Sequence, residues 1–308
     1  MSMKALVTGG AGFIGSNLAL TLEEMGWEVV VLDDFSSGHF KNLLGFRGDV
    51  IAESILTVDL SYFDGFDAIF HQAAITDTTL MDQKRMMEVN VEGLRRLLSF
   101  AVERQIPFIY ASSAGTYGLS PAPQREEKAG RPANIYGFSK WIGDCIARKY
   151  MSRCRSLVVG LRYFNVFGPR EQYKGKMASM VWQLAQQMLS GKRPRIFKWG
   201  EQKRDQVYVK DVIRANLLAL ESKGNGIVNI GTGKAISFNH IIEVLNKVLG
   251  TNYAPEYFDN PYVEFYQEHT EADLTLAERL LGYRPKWSFE EAVKDYIDWI
   301  RNNEKIFD

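Results

Sequence analysis

The sequence of 308 residues predicts a doubly wound parallel α/β sheet with a smaller C-terminal lobe. Three observations predict it. The stretch Leu6-Val7-Thr8-Gly9-Gly10-Ala11-Gly12-Phe13-Ile14-Gly15 is an apolar strand that runs into glycines and then into an apolar helix. From residue 4 to about 162, short β-branched runs alternate with longer helical segments, the pattern of parallel strands with helices on both faces. Beyond residue 162 the alternation loosens into segments punctuated by Gly168-Pro169, Gly175, Gly191, Pro194 and Gly200.

Taken in order, strands are expected at 5–8, 28–32, 55–58, 68–71, 108–111 and 156–162, giving a six-stranded sheet. Between the fourth and fifth, residues 81–104 carry Met86, Val89, Leu94, Leu97, Leu98 and Ala101 at helical spacing, so this connection is one helix. Helices follow at 136–151, 178–190, 238–249, 274–281 and 289–302, with a further strand at 227–230. Residues 1–165 form the expected nucleotide domain, with 205–237 returning to it, and 166–308 form mainly a lobe over the reactive end of a cofactor.

Composition narrows the function. The 37 basic and 37 acidic residues cancel, so nucleic acid is not an expected partner, because phosphate-backbone binding needs an excess of Lys and Arg. Cys145 and Cys154 are the two cysteines and make no disulfide framework, which suits a reducing cytoplasm. No signal-peptide pattern precedes the first strand, and no apolar run is long enough for a membrane helix. His39, His71, His240 and His269 lie far apart without metal-ligand spacing, and no metal is expected.

The glycine turn is the first site. Gly9 makes the turn, Gly12 lets the backbone approach a pyrophosphate, and Gly15 lets the helix pack against the strand. Unpaired N–H groups at the helix start, near Gly12, face the phosphates. Asp33, which lies 18 residues after Gly15 and is followed by Asp34, ends the second strand, where a carboxylate accepts both ribose hydroxyls. That favours NAD over NADP, since a 2′-phosphate meets like charge there. Asp59 and Leu60 are expected at the adenine edge, and Gln72, Ala73 and Ala74 where the backbone passes the cofactor. Phe13, Ile14 and Asn90 complete the expected cofactor set.

The second site is Tyr136-Gly137-Phe138-Ser139-Lys140. Four residues are just over one helical turn, so Tyr136 and Lys140 share a face. An ammonium about 5 Å from a phenol, at an effective dielectric of about 20, favours the phenolate by about 3 kcal/mol, or roughly two pKa units. Tyr136 is therefore expected to be a working base that takes a proton from a substrate hydroxyl. An isolated Tyr/Lys pair is ordinarily a helix-surface pair. The third group, Ser112-Ser113 at the carboxyl end of the fifth strand, shifts the balance, because a Ser113 hydroxyl there can stabilise charge on the same substrate oxygen. Serine, tyrosine and lysine together point to alcohol–ketone redox.

These motifs, together with Ser112-Ser113-Ala114-Gly115-Thr116-Tyr117-Gly118 and Arg162-Tyr163-Phe164-Asn165-Val166-Phe167-Gly168-Pro169-Arg170, resemble the extended short-chain dehydrogenases/reductases. The resemblance spans essentially the whole chain and implies a Rossmann-type fold. Within that group, Glu171-Gln172-Tyr173-Lys174-Gly175-Lys176-Met177-Ala178-Ser179-Met180, with Arg204-Asp205 and Tyr266-Gln267, is similar to the ADP-L-glycero-D-manno-heptose 6-epimerases. That resemblance implies a nucleotide-sugar substrate oxidised to a 6-keto intermediate and reduced on the opposite face. It implies acid/base roles for Tyr136 and Lys174, contacts of Asn165 with the sugar, and packing of Phe164 and Val166 beside the nicotinamide. Arg204 is then a clamp on the diphosphate, and Lys176, Gln183, Phe197, Trp199 and Tyr266 fall among the nucleotide-sugar contacts. Superfamily members commonly build a subunit interface from helices, so a homo-oligomer is expected.

Two departures from that pattern stand out. These epimerases usually take NADP, yet no basic residue stands in Asp33-Asp34-Phe35-Ser36-Ser37, and Lys41 is the nearest; NAD and NADP both stay open. Lys176 and Gln183 stand where a small polar residue and a histidine are usual. The alternatives are a UDP-hexose 4-epimerase, a 4,6-dehydratase and a catalytically inactive dinucleotide sensor. The dehydratase is disfavoured because Ala114-Gly115 replace the acidic pair it needs after Ser113, and the sensor because Ser113, Tyr136 and Lys140 are all present.

Overall fold

The structure is a computed structural model that describes residues 2–80, 82–261 and 267–303. The chain begins β1 (Lys4–Thr8), α1 (Phe13–Glu24), β2 (Glu28–Leu32), β3 (Asp49–Ile51) and β4 (Ala68–His71). It continues α2 (Gln83–Met87), α3 (Gly93–Glu103), β5 (Phe108–Ser113), α4 (Ile135–Met151) and β6 (Val158–Tyr163). Then come β7 (Asn165–Phe167), α5 (Met180–Leu189), β8 (Arg195–Phe197), β9 (Lys203–Tyr208), α6 (Val209–Leu220) and β10 (Gly226–Ile230). The chain closes with β11 (Ala235–Ser237), α7 (Phe238–Leu249), β12 (Glu256–Phe258), α8 (Thr275–Leu281) and α9 (Phe289–Asn302).

The main sheet has seven strands in the order β10-β6-β5-β4-β1-β2-β3, all paired in parallel. The order reverses direction between β1 and β4, and the crevice at the carboxyl ends of those strands is where such sheets receive ligands. Two strand expectations are corrected. The third strand is Asp49–Ile51 and not 55–58, where the chain instead turns on Ser54, whose carbonyl accepts from the Thr57 and Val58 amides. Ile55 and Val58 are buried because they seal the edge of the core, which made a strand and a sealing turn look alike in sequence. The seventh strand is β10, which joins the edge beside β6.

The expected single helix over 81–104 is also broken. A π-helical turn, Glu88–Glu92, separates α2 from α3, and the side chain of Asn90 within it accepts from the Ile75 amide at 2.8 Å and donates to the Ile75 carbonyl at 2.9 Å. The apolar stripe keeps its spacing on both sides of that turn, so periodicity alone hides it.

Both faces of the sheet are packed. On one, Leu6, Val30, Ile69, Leu97, Leu98 and Tyr110 form a core under α3 and α4. On the other, Val7, Val31 and Val159 share a continuous core with Val181, Leu245, Tyr296 and Ile297, which ties the C-terminal helices to the sheet. Two small sheets, β11-β9-β7 and β12-β8, sit beyond the carboxyl ends of the main strands and carry the lobe's side chains towards the crevice. Among the described residues no helix is long and apolar enough to cross a membrane, and no group of three or more His, Cys, Asp or Glu is placed to hold a metal ion.

Candidate active site

A cavity of about 1100 Å³ runs from the β1–α1 turn to the lobe. That is at the top of the roughly 300–1,000 Å³ range of small-molecule and cofactor sites. At its first end the backbone dictates the residues. Gly9 has φ +66°, in the left-handed region, and a Cβ on Gly15 would stand 2.1 Å from the Gly9 carbonyl oxygen. Gly12 begins α1 with no side-chain cap, so the helix's first N–H groups face the cavity without a protein side chain to satisfy them.

Asp33 is held against this turn. Its carboxylate accepts from the Ala11 amide at 2.9 Å and from the Phe35 amide at 2.8 Å. Burial raises its pKa above the ordinary carboxylate value, and the two amides pull in the opposite direction. Asn42 donates through Nδ2 to the Ala11 carbonyl at 3.0 Å, while its Oδ1 is buried with no partner among the described residues. An uncapped helix start, a paired acid and an unpaired buried acceptor on one wall fit a ligand that brings phosphates and hydroxyls. Phe13, Ile14, Asp34, Gln72, Ala73 and Ala74 also line this end.

Three expected cofactor residues lie elsewhere. Asp59 is exposed and caps the short helix Leu60–Phe63 by accepting from the Ser61 amide; neither it nor Leu60 lines the cavity, where Glu53 and Ile55 stand instead. The displaced third strand accounts for this shift. Asn90 is buried behind the wall, where it fixes Ile75 and donates to the Ser139 hydroxyl at 3.0 Å.

Midway, β5 delivers Ser113 and the first turns of α4 deliver Tyr136 and Lys140 to the same cavity. Asn134 caps α4 by accepting from the Gly137 amide at 2.8 Å, which fixes where Tyr136 emerges. The Ser113 hydroxyl accepts from the Gly115 amide at 3.0 Å. The electrostatics correct the expectation from spacing. Lys140 Nζ donates to the Ala111 carbonyl at 2.8 Å, and burial lowers the Lys140 pKa to about 8 despite the Asp144 carboxylate below it. Burial raises the Tyr136 pKa, and only the hydrogen bond with Ser113 acts to lower it. Desolvation of both partners outweighs the attraction that the helical spacing suggested.

Below the site, buried Asp144 receives Arg162 Nε at 2.9 Å and the Tyr110 hydroxyl at 2.9 Å. Arg162 also donates through Nη1 to the Tyr117 hydroxyl at 3.0 Å and to the Glu126 carbonyl at 2.9 Å. This network joins β5, β6, α4 and the loop after Ser113.

Lys174 reaches the cavity from the loop after β7, with its Nζ 5.7 Å from the centre of the Phe13 ring. Burial lowers its pKa, against the pull of Glu171. Glu171 anchors that loop: its fully buried carboxylate accepts from the Gly168 amide at 3.0 Å, the Ser179 amide at 2.6 Å and the Ser179 hydroxyl at 2.9 Å. Lys176 stands at the cavity wall, but its ammonium donates to the Thr79 hydroxyl at 2.7 Å and pairs with Asp77 at 3.6 Å.

At the far end the cavity meets Phe164, Asn165, Val166, Gln183, Phe197 and Arg204. Thr270 donates to Asn165 Oδ1 at 3.3 Å, and the Arg204 guanidinium lies 5.9 Å from the Phe238 ring centre. Trp199 is 66 % exposed and does not line the cavity; it packs edge-on against Tyr257. Tyr266 lies outside the described residues. Sequence reasoning missed Asn42, Gln206, Phe238 and Phe258, which all line the wall. Alternation along β9 from Arg204 was a signal for Gln206. Phe258 carried none, because β12 reaches the cavity only by pairing with β8.

Known proteins resemble the chain over its length. The model for the "NAD dependent epimerase/dehydratase family" matches residues 5–231. The crystal structure of ADP-L-glycero-D-manno-heptose-6-epimerase from Helicobacter pylori is 42 % identical, with TM-score 0.91, 97 % of this chain and 96 % of that chain covered. UDP-glucose 4-epimerase from Thermotoga maritima, solved with UDP-glucose, is 32 % identical, with TM-score 0.89 and 98 % and 100 % covered. UDP-glucuronic acid 4-epimerase from Bacillus cereus, solved with UDP-glucuronic acid and NAD, is 30 % identical, with TM-score 0.86 and 97 % and 99 % covered. With the family model matched over most of the chain and 42 % identity to the Helicobacter enzyme over nearly the whole of both chains, the chain belongs to the NAD dependent epimerase/dehydratase family.

Proposed function

We propose that this nucleotide-sugar epimerase inverts C6 of ADP-glycero-manno-heptose. The observation that carries this reading is a second titratable group, Lys174, desolvated in the same cavity as Tyr136. Inversion by oxidation and re-reduction presents the carbinol hydroxyl in two orientations, and a proton must move to or from it in each. Tyr136, with Ser113 hydrogen-bonded to the same oxygen, serves one orientation, and Lys174 serves the other. The 42 % identity to the Helicobacter heptose epimerase supports the sugar.

Bound oxidised nicotinamide would accept and return the hydride, and its positive charge would favour the Tyr136 phenolate against the burial that raises its pKa. Ser113 donates to the substrate oxygen as charge grows on it. Lys140 stays on the Ala111 carbonyl and supplies a nearby dissociable proton. Arg204 takes the diphosphate, for which a guanidinium fork is suited.

For the cofactor, the proposal is NAD. Asp33, Asp34 and Glu53 line the adenosine end, and Lys41 is not in that wall. A 2′-phosphate there would add charge beside carboxylates with no cation adjoining Asp33 in sequence. Dinucleotide released from the denatured, purified protein and identified by mass spectrometry is expected to be NAD or NADH. Recovery of NADP or NADPH would reverse the assignment.

The substrate is tested by incubating purified protein with ADP-heptose, UDP-galactose or UDP-N-acetylgalactosamine without added cofactor, and following the anomeric and C6 signals by NMR. Only the heptose is expected to epimerise. Conversion of a UDP-hexose alone would transfer the activity to C4, and no conversion at all would favour a dinucleotide-binding protein.

A further inference from the structure

Gln206 is a polar group in the cavity wall that the chemistry above leaves unused. It is 3 % exposed, lines the cavity, and its Oε1 has no hydrogen-bond partner among the described residues. A buried acceptor without a donor carries its full desolvation penalty, so folds retain few of them without a compensating role.

Strand geometry says which way Gln206 faces. Along β9, Arg204 and Gln206 share one side, while Asp205 takes the other. There the Asp205 carboxylate accepts from the Thr232, Gly233 and Ala272 amides at 2.7, 2.9 and 3.0 Å. Asp205 thus locks the strand so that its neighbours cannot turn away from the cavity. Across the β7–β9 ladder, Gln206 is directly opposite Asn165. Asn165 in turn is two residues beyond Tyr163, the partner of Ser113 across β5 and β6. Gln206 therefore adjoins both the Asn165 side, which leads to the reaction centre, and Arg204, the diphosphate clamp. In a nucleotide sugar the pyranose links the reacting carbon to the diphosphate, so a residue flanked in this way faces the sugar.

We propose that Gln206 is a sugar-recognition residue whose Oε1, closed off in the wall as it stands, turns into the cavity to accept a hydrogen bond from a ring hydroxyl of the bound nucleotide sugar. This rests on the nucleotide-sugar reading given above. The wall is then incomplete until a hydroxyl-bearing sugar fills it, and a sugar lacking that hydroxyl leaves the acceptor unpaired. Sites that hydrogen-bond a substrate hydroxyl reject the deoxy analogue far better than apolar sites reject an added group.

Gln206→Leu keeps most of the side-chain volume and removes the amide; Gln206→Met does so with a more adaptable chain. Both are made in a Tyr136→Phe background, so that binding is measured without turnover, and titrated by calorimetry with ADP and with ADP-heptose. The dissociation constant for ADP-heptose is expected to rise about tenfold, the yield of one neutral hydrogen bond, while that for ADP stays the same. Without sugar, both variants are expected to melt no lower than the parent, because an unpaired buried acceptor has been removed. An unchanged ADP-heptose affinity in both variants overturns the proposal. So does an equal loss for ADP and ADP-heptose, or lower melting temperatures with sugar binding intact, which would make Gln206 a packing residue. If the parent binds UDP-glucose and not ADP-heptose, the heptose reading fails by itself. The role of Gln206 is then decided by the same comparison with UDP and UDP-glucose.

Discussion

Tyr136→Phe is expected to lower epimerase turnover by roughly 10²–10⁴-fold, the range a positioned acid/base group contributes, while the purified protein keeps its dinucleotide. The substitution removes one oxygen and leaves the ring, the helix start and the Asn134 cap in place. Cofactor retention separates loss of chemistry from loss of the site, and is read from the absorbance of the bound nicotinamide after a reductant is added. The size of the loss also bears on Lys174. If Lys174 handles one orientation of the hydroxyl and Tyr136 the other, the phenylalanine variant fails on one of the two directions of proton transfer, and single-turnover traces stop at the ketone or before it. Turnover within a few-fold of wild type would remove Tyr136 from the acid/base role.

Arg162→Met is expected to destabilise the fold by about 3–5 kcal/mol, because it leaves the Asp144 carboxylate buried without its cation. Arg162 and Asp144 are both fully buried, with Nη2 2.8 Å from the carboxylate. Burial works against the guanidinium charge, but Asp144 and the Tyr117 hydroxyl more than offset it and hold the pKa above the ordinary arginine value. In thermal unfolding the loss corresponds to a drop on the order of 10 °C. The double variant Arg162→Met/Asp144→Leu removes both charges and is expected to recover most of that loss, since an apolar pair of similar volume is often neutral. A single variant that melts within about a degree of wild type would mean that water reaches Asp144 in solution. Both proteins should also be assayed, because the network sits one helical turn below Lys140 and holds the loop that follows Ser113.

The fold and the two ends of the reaction centre were legible because local rules govern them. Gly9 and Gly15 are required by a left-handed turn and a 2.1 Å approach, and such constraints leave their mark on residue type. Tyr136 and Lys140 were placed by helical period, and α7 and α9 run 238–249 and 289–302 as their apolar spacing predicts. What was hidden depends on partners distant in sequence. The third strand is three residues long at a sheet edge, and β3 shows as strand only through its pairing with β2. Asp59 follows from that misplacement. The π-helical turn carries Asn90 to hydrogen bonds with Ile75, 15 residues away. The Tyr136 environment is hidden for a related reason: spacing reports which groups are near each other, whereas burial, which raises the Tyr136 pKa, depends on the whole fold.

The single carboxylate of Glu171 has a consequence for how this enzyme can change. It ties Gly168, behind the loop, to Ser179, in front of it, and so closes the base of the segment that carries Tyr173, Lys174 and Lys176, whose tip is held separately by Tyr173 stacked on His39 and by Lys176 on Thr79 and Asp77. Because the fastening lies outside the segment it closes, the base of the loop is held by groups that residues 172–178 do not supply. A substitution within 172–178 is therefore expected to leave β7 and α5 where they are. Replacing Glu171 instead would release both ends of the loop at once.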